Sequence, residues 1–462
     1  MSTAVPTASE IAADVRARRR TARSLVESSL ARIDAFDGKI NSFTDVLSER
    51  ALKTADSVDA GIVRGEELPL AGVPFAVKNL FDVAGIPTRA GSLINREREP
   101  AAQDSILIRR LEATGAVLIG ALNMGEYAYD FTGDNVHDGA VRNPHNADHM
   151  TGGSSSGSGA AVAAGFVPIT LGSDTNGSIR VPASFCGLFG LKPTFGRLSR
   201  ARTFPFVASL DHLGPLARSV ADLAAAYDAM QGPDPEDPVC ADRALEPVLG
   251  TLGESIRELK IATLGGHFAR MGEADAYAAV AQVADALGAN DTIELPEATR
   301  ARAAAYVITA AEGAALHLSR LRERAADFDP DVRDRLLAGA LIPAAWTAAA
   351  QKLRRWYRER VLEVFERYDV LLAPATPCRA PKIGQKTFTL DGQELLVRPN
   401  IGIYTQPISF VGLPVVAVPV WLDGGLPIGV QVIAAPWRED VALRVANALE
   451  RGGVCRAPVA KL

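Results

Sequence analysis

The chain has 462 residues, of which 48% are apolar and 22% charged, and its formal net charge is −5. This composition is typical of a globular protein with a large core and argues against a dedicated nucleic-acid-binding protein, which would normally carry a clustered basic patch. The first twenty residues contain no apolar signal segment, and the apolar run at 407–422 is too short and too rich in proline to span a bilayer. We therefore expect a cytoplasmic protein that contacts neither a membrane nor nucleic acid directly.

The N-terminal region, residues 7–60, is predicted to be mainly helical. Residues 7–36 fit two helices, and the second of these has Thr21 as its cap and one apolar face, formed by Val26, Leu30, Ile33 and Phe36. A buried strand at 71–78, a helix over 104–114 and a strand at 116–119 follow. Because strands and helices alternate, we expect an α/β fold.

The C-terminal half continues this alternation and adds a long helical block. Further strands are expected at 166–171, 370–372, 415–420 and 429–433. A helix over 273–287 is predicted to end at Gly288. The block at 298–368 is predicted to be a helical insertion over the sheet, with a buried stripe formed by Trp346, Leu353, Tyr357, Val364 and Tyr368. No repeat or long linker interrupts the chain, so one domain over residues 1–462 is expected.

The cysteines and histidines do not predict a metal centre. The four cysteines are far apart and match neither a metal-binding spacing nor a CxxC motif, so we expect free thiols. His145 and His149 are four residues apart but lie in a loop that contains Pro144, and they are interpreted as polar loop residues. No cofactor is expected.

A glycine- and serine-rich segment, GGSSSGSG, occupies residues 152–159. Such segments are commonly flexible linkers, but this one runs directly into the apolar sequence AAVAAGFVPITLG, as a buried element would. It also fits the G-x-S-x-G pattern around Ser155. That interpretation is weak, because the nucleophile motif needs a preceding strand and residues 144–151 are polar.

A second segment, DTNGSIR, occupies residues 174–180. Asn176-Gly177 between apolar runs is typical of a hairpin turn, which taken alone is the more common explanation. The other interpretation is an anion-binding loop, in which the backbone N–H groups of residues 175–178 point to one oxyanion. Asp174 and Arg180 would then most simply pair with each other and brace the loop.

Lys78 closes the predicted strand 71–78. Most lysines at strand ends reach solvent with their amine. A buried lysine has a lowered pKa and is partly neutral near pH 7, and only the neutral amine can act as a base.

In this order and with these flanks, the three segments resemble those of the amidase signature family. The matching stretches are GVPFAVKNLFDVAG, TGGSSSGSGAA, LGSDTNGSIRVPASFCGLFGLKPT, TQPISFVGLPVVAVP and GLPIGVQVIAAPW. The resemblance covers nearly the whole chain. It implies an α/β/α sandwich around a mixed, twisted sheet of about eleven strands.

The resemblance also implies roles for individual residues. Lys78 would be the base. Ser154, which the family usually holds at a cis peptide, would be the bridging hydroxyl. Ser178 would be the nucleophile that forms an acyl-enzyme. The oxyanion hole would be formed by Thr175, Asn176, Gly177 and Ser178. Asn176 and Ser156 stand where the family usually has glycine, so Asn176 offers a side-chain amide to a small polar substrate.

Within the family, GSDTNGSIRVPAS and TFPFVASLDHLGPLA are similar to hydrolases of cyanuric acid breakdown. Those enzymes release ammonia from a urea-like amide that carries a carboxylate, and they work with a small helical partner subunit. The resemblance thus implies a homodimer or a heterotetramer and a cationic anchor for the carboxylate. Arg142, Arg202 and Arg398 are the candidates, although each is more commonly a surface or structural residue.

Other functions remain open at the level of sequence. The chain could be an amidase for aryl or aliphatic amides, or the glutaminase subunit of a tRNA-dependent amidotransferase, whose partner would then bind the nucleic acid. A non-catalytic component of a larger assembly is disfavoured, because Lys78, Ser154 and Ser178 are all present.

Overall fold

A computed structural model describes residues 5–462 of the chain, which contain 14 α-helices and 15 β-strands. The strands are β1 (Phe43–Val46), β2 (Pro74–Lys78), β3 (Val117–Leu122), β4 (Arg142–Asn143), β5 (Asn146–Met150), β6 (Ile169–Asp174), β7 (Phe189–Lys192), β8 (His212–Ala217), β9 (Ile261–Leu264), β10 (Asp291–Ile293), β11 (Val370–Pro374), β12 (Thr387–Leu390), β13 (Gln393–Leu396), β14 (Val415–Val420) and β15 (Ile428–Ala434).

The helices are α1 (Ala8–Arg16), α2 (Ala22–Ile40), α3 (Ser48–Arg64), α4 (Ile106–Ala113), α5 (Ser156–Ala163), α6 (Arg180–Cys186), α7 (Val220–Met230), α8 (Ala274–Leu287), α9 (Ala298–Arg324), α10 (Pro330–Ala340), α11 (Ala344–Val364), α12 (Val397–Asn400), α13 (Gln406–Ser409) and α14 (Glu439–Arg451). Within residues 5–462, no helix is both long and apolar enough to cross a membrane.

Eleven strands form one mixed sheet in the order β1-β3-β2-β6-β8-β7-β14-β15-β11-β9-β10. Strands β3, β2 and β6 run parallel to one another, whereas β6, β8, β7, β14 and β15 pair antiparallel in succession. Every residue of β2, β3, β6, β8, β14 and β15 is buried. Strands buried on both faces require helices on both sides of the sheet, so the fold is the expected α/β/α sandwich.

Local sequence explains the ends of several helices. Thr21 caps α2 by accepting a hydrogen bond from the backbone of Ser24, and Gly288 ends α8 in the left-handed conformation that glycine adopts without strain. Both were predicted from the sequence. The region 298–368 is mainly helical, as predicted, and contains α9, α10 and α11.

Three sequence-based expectations differ from the structure. The N-terminal region contains the short strand β1 between α2 and α3, and the strand expected at 166–171 lies at Ile169–Asp174. Trp346 is 61% exposed rather than part of a buried stripe, because it lies in the first turn of α11, whereas Tyr357 further along the helix is fully buried. All four cysteines are free, as expected.

Candidate active site

The two strands that carry the predicted site are neighbours in the sheet. Strands β2 and β6 are parallel, with Val77 opposite Leu171, so their carboxyl ends meet at the same edge. Lys78 is the last residue of β2 and Asp174 the last residue of β6. In α/β sheets this edge is where ligands commonly bind, because the loops that leave the strands converge there.

The Lys78 amine lies among three serine hydroxyls. Its Nζ is 2.7 Å from Ser154 Oγ, 2.8 Å from Ser173 Oγ and 3.1 Å from Ser155 Oγ, and the side chain is fully buried. Burial lowers the pKa of Lys78 to about 7, and the nearby carboxylates, Asp174 first, limit that fall. A neutral amine has two N–H groups and one lone pair, so near pH 7 Lys78 can accept a proton from one of these hydroxyls.

The glycine- and serine-rich segment is part of the core. All residues from Gly152 to Gly159 are buried, and the peptide bond between Gly153 and Ser154 is cis. A Cβ atom at Gly157 would lie 2.7 Å from the backbone oxygen of Asn123, so the segment passes another backbone too closely for a side chain. It therefore holds Ser154 and Ser155 against Lys78, and a flexible linker is ruled out.

Residues 175–179 connect β6 directly to α6, so Asn176-Gly177 is not a hairpin turn. Within residues 5–462, the backbone N–H groups of Asn176, Gly177 and Ser178 donate no hydrogen bond, although all three residues are buried. Gly177 has a φ of 141°, and a Cβ there would overlap the Thr405 hydroxyl. Free backbone donors can stabilise an oxyanion when they point to one position.

A buried ion pair between Asp174 and Arg180 stabilises the loop at residues 175–179. Arg180 donates to both carboxylate oxygens of Asp174, at 2.8 and 3.0 Å, and neither side chain is exposed. Asp174 also accepts a hydrogen bond from the backbone of Ile179 at 3.1 Å. Burial alone would raise the pKa of Asp174, but the charge and hydrogen bonds of Arg180 hold it below its ordinary value. Both residues thus fix the loop and face away from solvent.

Ser178 lines a small cavity of about 20 Å³. The other polar side chains that line it are Asp130, Tyr129, Thr175, Asn176, Tyr306, Thr309, Arg335 and Gln406. A second cavity, of about 150 Å³, shares Ala128, Thr175 and Phe206 with it, and a third, of about 380 Å³, shares Arg335. In the described part of the chain no hydrogen bond joins Ser154 to Ser178, so Ser154 contacts the amine but not yet the second serine.

Comparison with known proteins identifies the family of the chain. The family model described as "Amidase" matches residues 24–443. The chain belongs to the amidase family. It is therefore an enzyme, a hydrolase that acts on amide C–N bonds.

Two similar proteins and one solved structure place this amidase within its family. It is 53% identical over 450 residues to AtzE, a 1-carboxybiuret hydrolase subunit of Pseudomonas sp. (strain ADP), covering 97% of this chain and 98% of that protein. It is 35% identical to a subunit of the glutamyl-tRNA(Gln) amidotransferase of Koribacter versatilis, covering 94% and 96%. A solved structure of "an unexpected vestigial protein complex", which "reveals the evolutionary origins of an s-triazine catabolic enzyme", matches with a TM-score of 0.97, 52% identity and coverage of 99% and 100%.

The cavity at Ser178 is not lined by any of the three arginines that were predicted from the sequence as carboxylate anchors, Arg142, Arg202 and Arg398. Arg142 is exposed and donates to the backbone oxygen of Ala147, and Arg202 pairs with Glu236. Arg398 lies nearer, in the 380 Å³ cavity, where its nearest carboxylate, that of Asp130, is at 3.3 Å.

Arg335, on α10, is the arginine that does line the cavity of this amidase. Its Nε donates to the backbone oxygen of Asp331 at 2.8 Å, its Nη2 donates to the backbone oxygen of Tyr129, and its guanidinium stacks on the Tyr129 ring at 3.9 Å. Among residues 5–462 no carboxylate pairs with it. It is thus a half-buried, positioned cation that can still bind an anion.

Sequence reasoning missed three further polar residues of the site. Ser173 contacts Lys78 from within β6, Asp211 accepts a hydrogen bond from Thr175 Oγ1 at 2.6 Å, and Thr309 of α9 contacts Asn176. Burial raises the pKa of Asp211. A lone serine in a strand and a threonine in a long helix carry no local pattern that would distinguish them from ordinary core residues, so only the tertiary structure could identify them.

Proposed function

We propose that this amidase releases ammonia from a small urea-like amide that carries a carboxylate, of the 1-carboxybiuret type. One observation carries the proposal: Arg335, which pairs with no carboxylate of residues 5–462, lines the same small cavity as Ser178. The similarity to AtzE, of a 1-carboxybiuret hydrolase, and to an s-triazine catabolic enzyme supports it.

The proposed chemistry begins with proton transfer along two serines. Neutral Lys78 takes the proton of Ser154, and Ser154 takes that of Ser178, whose hydroxyl must turn toward it. Catalytic hydrogen bonds often tighten only when substrate is bound, so the missing contact between the two serines does not oppose this step. The Ser178 oxygen then attacks the carbonyl carbon, and the backbone N–H groups of residues 175–178 hold the negative oxygen.

Collapse of this intermediate breaks the C–N bond. The proton returns through Ser154 to the leaving nitrogen, which departs as ammonia rather than as an amide anion. Water, deprotonated by the same route, then attacks the acyl-enzyme and frees both the acid and Ser178. Asp174 and Arg180 have a structural part in this proposal, because they face each other rather than the cavity.

The carboxylate anchor in this proposal is Arg335. Its Nε and Nη2 are held by backbone oxygens, which fixes the guanidinium plane, and its Nη1 donates to no group within residues 5–462. A hydrogen bond between two charged partners is stronger than one between neutral groups and gives orientation as well as affinity. The three arginines nominated by the sequence are less suitable, since Arg398 and Arg202 already have carboxylate partners and Arg142 is on the surface.

The test is ammonia release from 1-carboxybiuret, glutamine and an arylamide, measured side by side. We expect 1-carboxybiuret to be hydrolysed best and Ser178→Ala to lose at least about a thousandfold in kcat. Arg335→Gln should lower kcat/KM about 10- to 100-fold on the carboxylated substrate, with a much smaller loss on an uncharged amide, whereas Arg142→Gln should change neither. Preferential hydrolysis of glutamine would replace this proposal by the glutaminase alternative.

We further propose that this chain assembles, either as a homodimer or as a heterotetramer with a small helical partner subunit. The similar solved structure is described as a protein complex. Leu341 directly after α10 and Trp346 in the first turn of α11 are 83% and 61% exposed, which offers an apolar surface beside the helix that carries Arg335. Native mass measurement after purification from the source cells tests this, and a bare monomer at cellular concentration would contradict it.

A further inference from the structure

The side chain of Asn176 lies in the same cavity as Ser178 and has one unsatisfied atom. Asn176 is 7% exposed and lines the cavity. Its Oδ1 is buried and, within residues 5–462, receives no hydrogen bond. Buried polar atoms are nearly always hydrogen-bonded, so an orphaned acceptor beside a nucleophile needs an explanation.

The rest of Asn176 is held in place. Its Nδ2 donates to Thr309 Oγ1 at 3.0 Å, and its backbone oxygen accepts from Thr405 Oγ1 at 2.6 Å. Because a side-chain amide is planar, fixing Nδ2 also fixes the direction of Oδ1. The acceptor is therefore oriented before any substrate arrives, which reduces the entropy lost on binding.

Within residues 5–462, no neighbouring side chain donates a hydrogen bond to Asn176 Oδ1. The two nitrogens of Arg335 that are hydrogen-bonded donate to the backbone oxygens of Asp331 and Tyr129, and neither is directed at Asn176. A ligand that carries an N–H or O–H group and binds in this cavity can supply the missing hydrogen-bond donor. The backbone N–H of the same residue is one of the free donors at the proposed oxyanion site, so a carbonyl bound there brings its own substituents close to Oδ1.

We propose that Asn176 Oδ1 accepts a hydrogen bond from a ureido N–H next to the scissile carbonyl and so selects ureido substrates over carbon-linked amides. A ureido carbonyl has a nitrogen on both sides, and the nitrogen that does not leave keeps its N–H. In a carbon-linked amide a CH₂ group takes that place, and Oδ1 stays unsatisfied. This inference rests on the proposed function, since it specifies the substrate class of the same site.

The test uses an isosteric pair of carboxylated compounds, N-carbamoylglycine and succinamate, which differ only by NH in place of CH₂. The quantity measured is the ratio of their kcat/KM values, or of their inhibition constants where turnover is absent. Comparing ratios removes the difference in intrinsic reactivity between the two carbonyls. A single neutral hydrogen bond corresponds to about tenfold, so Asn176→Ala should lower the ratio about tenfold.

Two further variants separate the acceptor from a general effect on the loop. Asn176→Asp keeps an oxygen acceptor and should retain the preference for the ureido compound even if kcat falls. Thr309→Val removes the contact that orients the amide and should lower the ratio by less than Asn176→Ala does. A ratio in Asn176→Ala within twofold of wild type, or an equal loss of ratio in Asn176→Ala and Asn176→Asp, overturns the inference.

Turnover of 1-carboxybiuret by the wild type distinguishes the two possible failures. If the wild type hydrolyses 1-carboxybiuret but Asn176→Ala leaves the ratio unchanged, the inference fails and the proposed function stands. If the wild type does not hydrolyse 1-carboxybiuret and binds neither probe, the proposed function fails and the inference fails with it.

Discussion

The protonation state of Lys78 should set the lower limit of the pH range in which this amidase works. With an ordinary pKa of 10.5, about one lysine in 3,000 would be neutral at pH 7, whereas at the value of about 7 roughly half is neutral. The difference is worth about 5 kcal/mol between the two protonation states, which burial supplies. Because only the neutral amine is a base, kcat/KM should fall tenfold for each pH unit well below 7 and level off above about 8.

The assay is initial-rate ammonia release from pH 5 to 9 at constant ionic strength. Lys78 faces three hydroxyls and the charges of Asp174, Asp211 and Asp130. Since the Asp211 carboxylate raises the pKa of Lys78, Asp211→Asn should move the acid limb of the profile to lower pH. A profile that is flat between pH 5.5 and 7.5 would refute the assignment of Lys78 as the titrating base.

A matched control excludes the other buried lysine near the sheet. Burial also lowers the pKa of Lys192. The charge of Glu439 raises the pKa of Lys192, whereas Asp211 has no such effect on it. Glu439→Gln should therefore leave the acid limb in place if Lys78 titrates. A shift in Glu439→Gln without one in Asp211→Asn would assign the limb to Lys192 and contradict the reasoning.

Three further outcomes are expected. Between pH 7.5 and 9 the unfolded chain binds one more proton at Lys78 than the folded chain, so the unfolding free energy should rise by about 1.4 kcal/mol per pH unit relative to Lys78→Met; parallel urea-denaturation midpoints in the two proteins would contradict this. Gly177→Ala should lower kcat more than it raises KM, because its Cβ overlaps the Thr405 hydroxyl beside the free N–H groups, and steady-state kinetics measure the split. Tyr357→Ala should lower the unfolding free energy by about 3 kcal/mol, and Trp346→Ala by less than about 1 kcal/mol, since the first side chain is buried and the second is 61% exposed. Chemical denaturation measures both values, and equal losses would mean that Trp346 is buried as the sequence predicted.

Elements with strong local patterns could be predicted from the sequence. The capped helix α2, the glycine-terminated helix α8 and the long helices of the insertion all follow from periodicity and capping residues. Strand β1 could not be predicted, because only the first of its four residues is buried and the strand lies between two helices. Trp346 could not be placed either, since an apolar side chain near the end of a helix is buried only if another element covers that end.

The candidate site likewise contains residues that could be predicted from the sequence and residues that only the structure identifies. Lys78, Ser154 and Ser178 stand in segments whose order and composition mark them in the sequence. Arg335 stands among many arginines of a helical block, and its cavity is visible only when α10 is packed beside the loop at Ser178.

The sequence by itself determined the α/β class, the helix ends and the three segments that carry the serines and the lysine, because those depend on residues near one another in the chain. Tertiary structure alone decided which of these residues meet and what chemistry they can perform. Lys78 reaches Ser154 across 76 positions, and Asn176 reaches Thr309 across 133. The lowered pKa of Lys78 has the same origin, since it arises from desolvation by the packed core rather than from any neighbour in sequence.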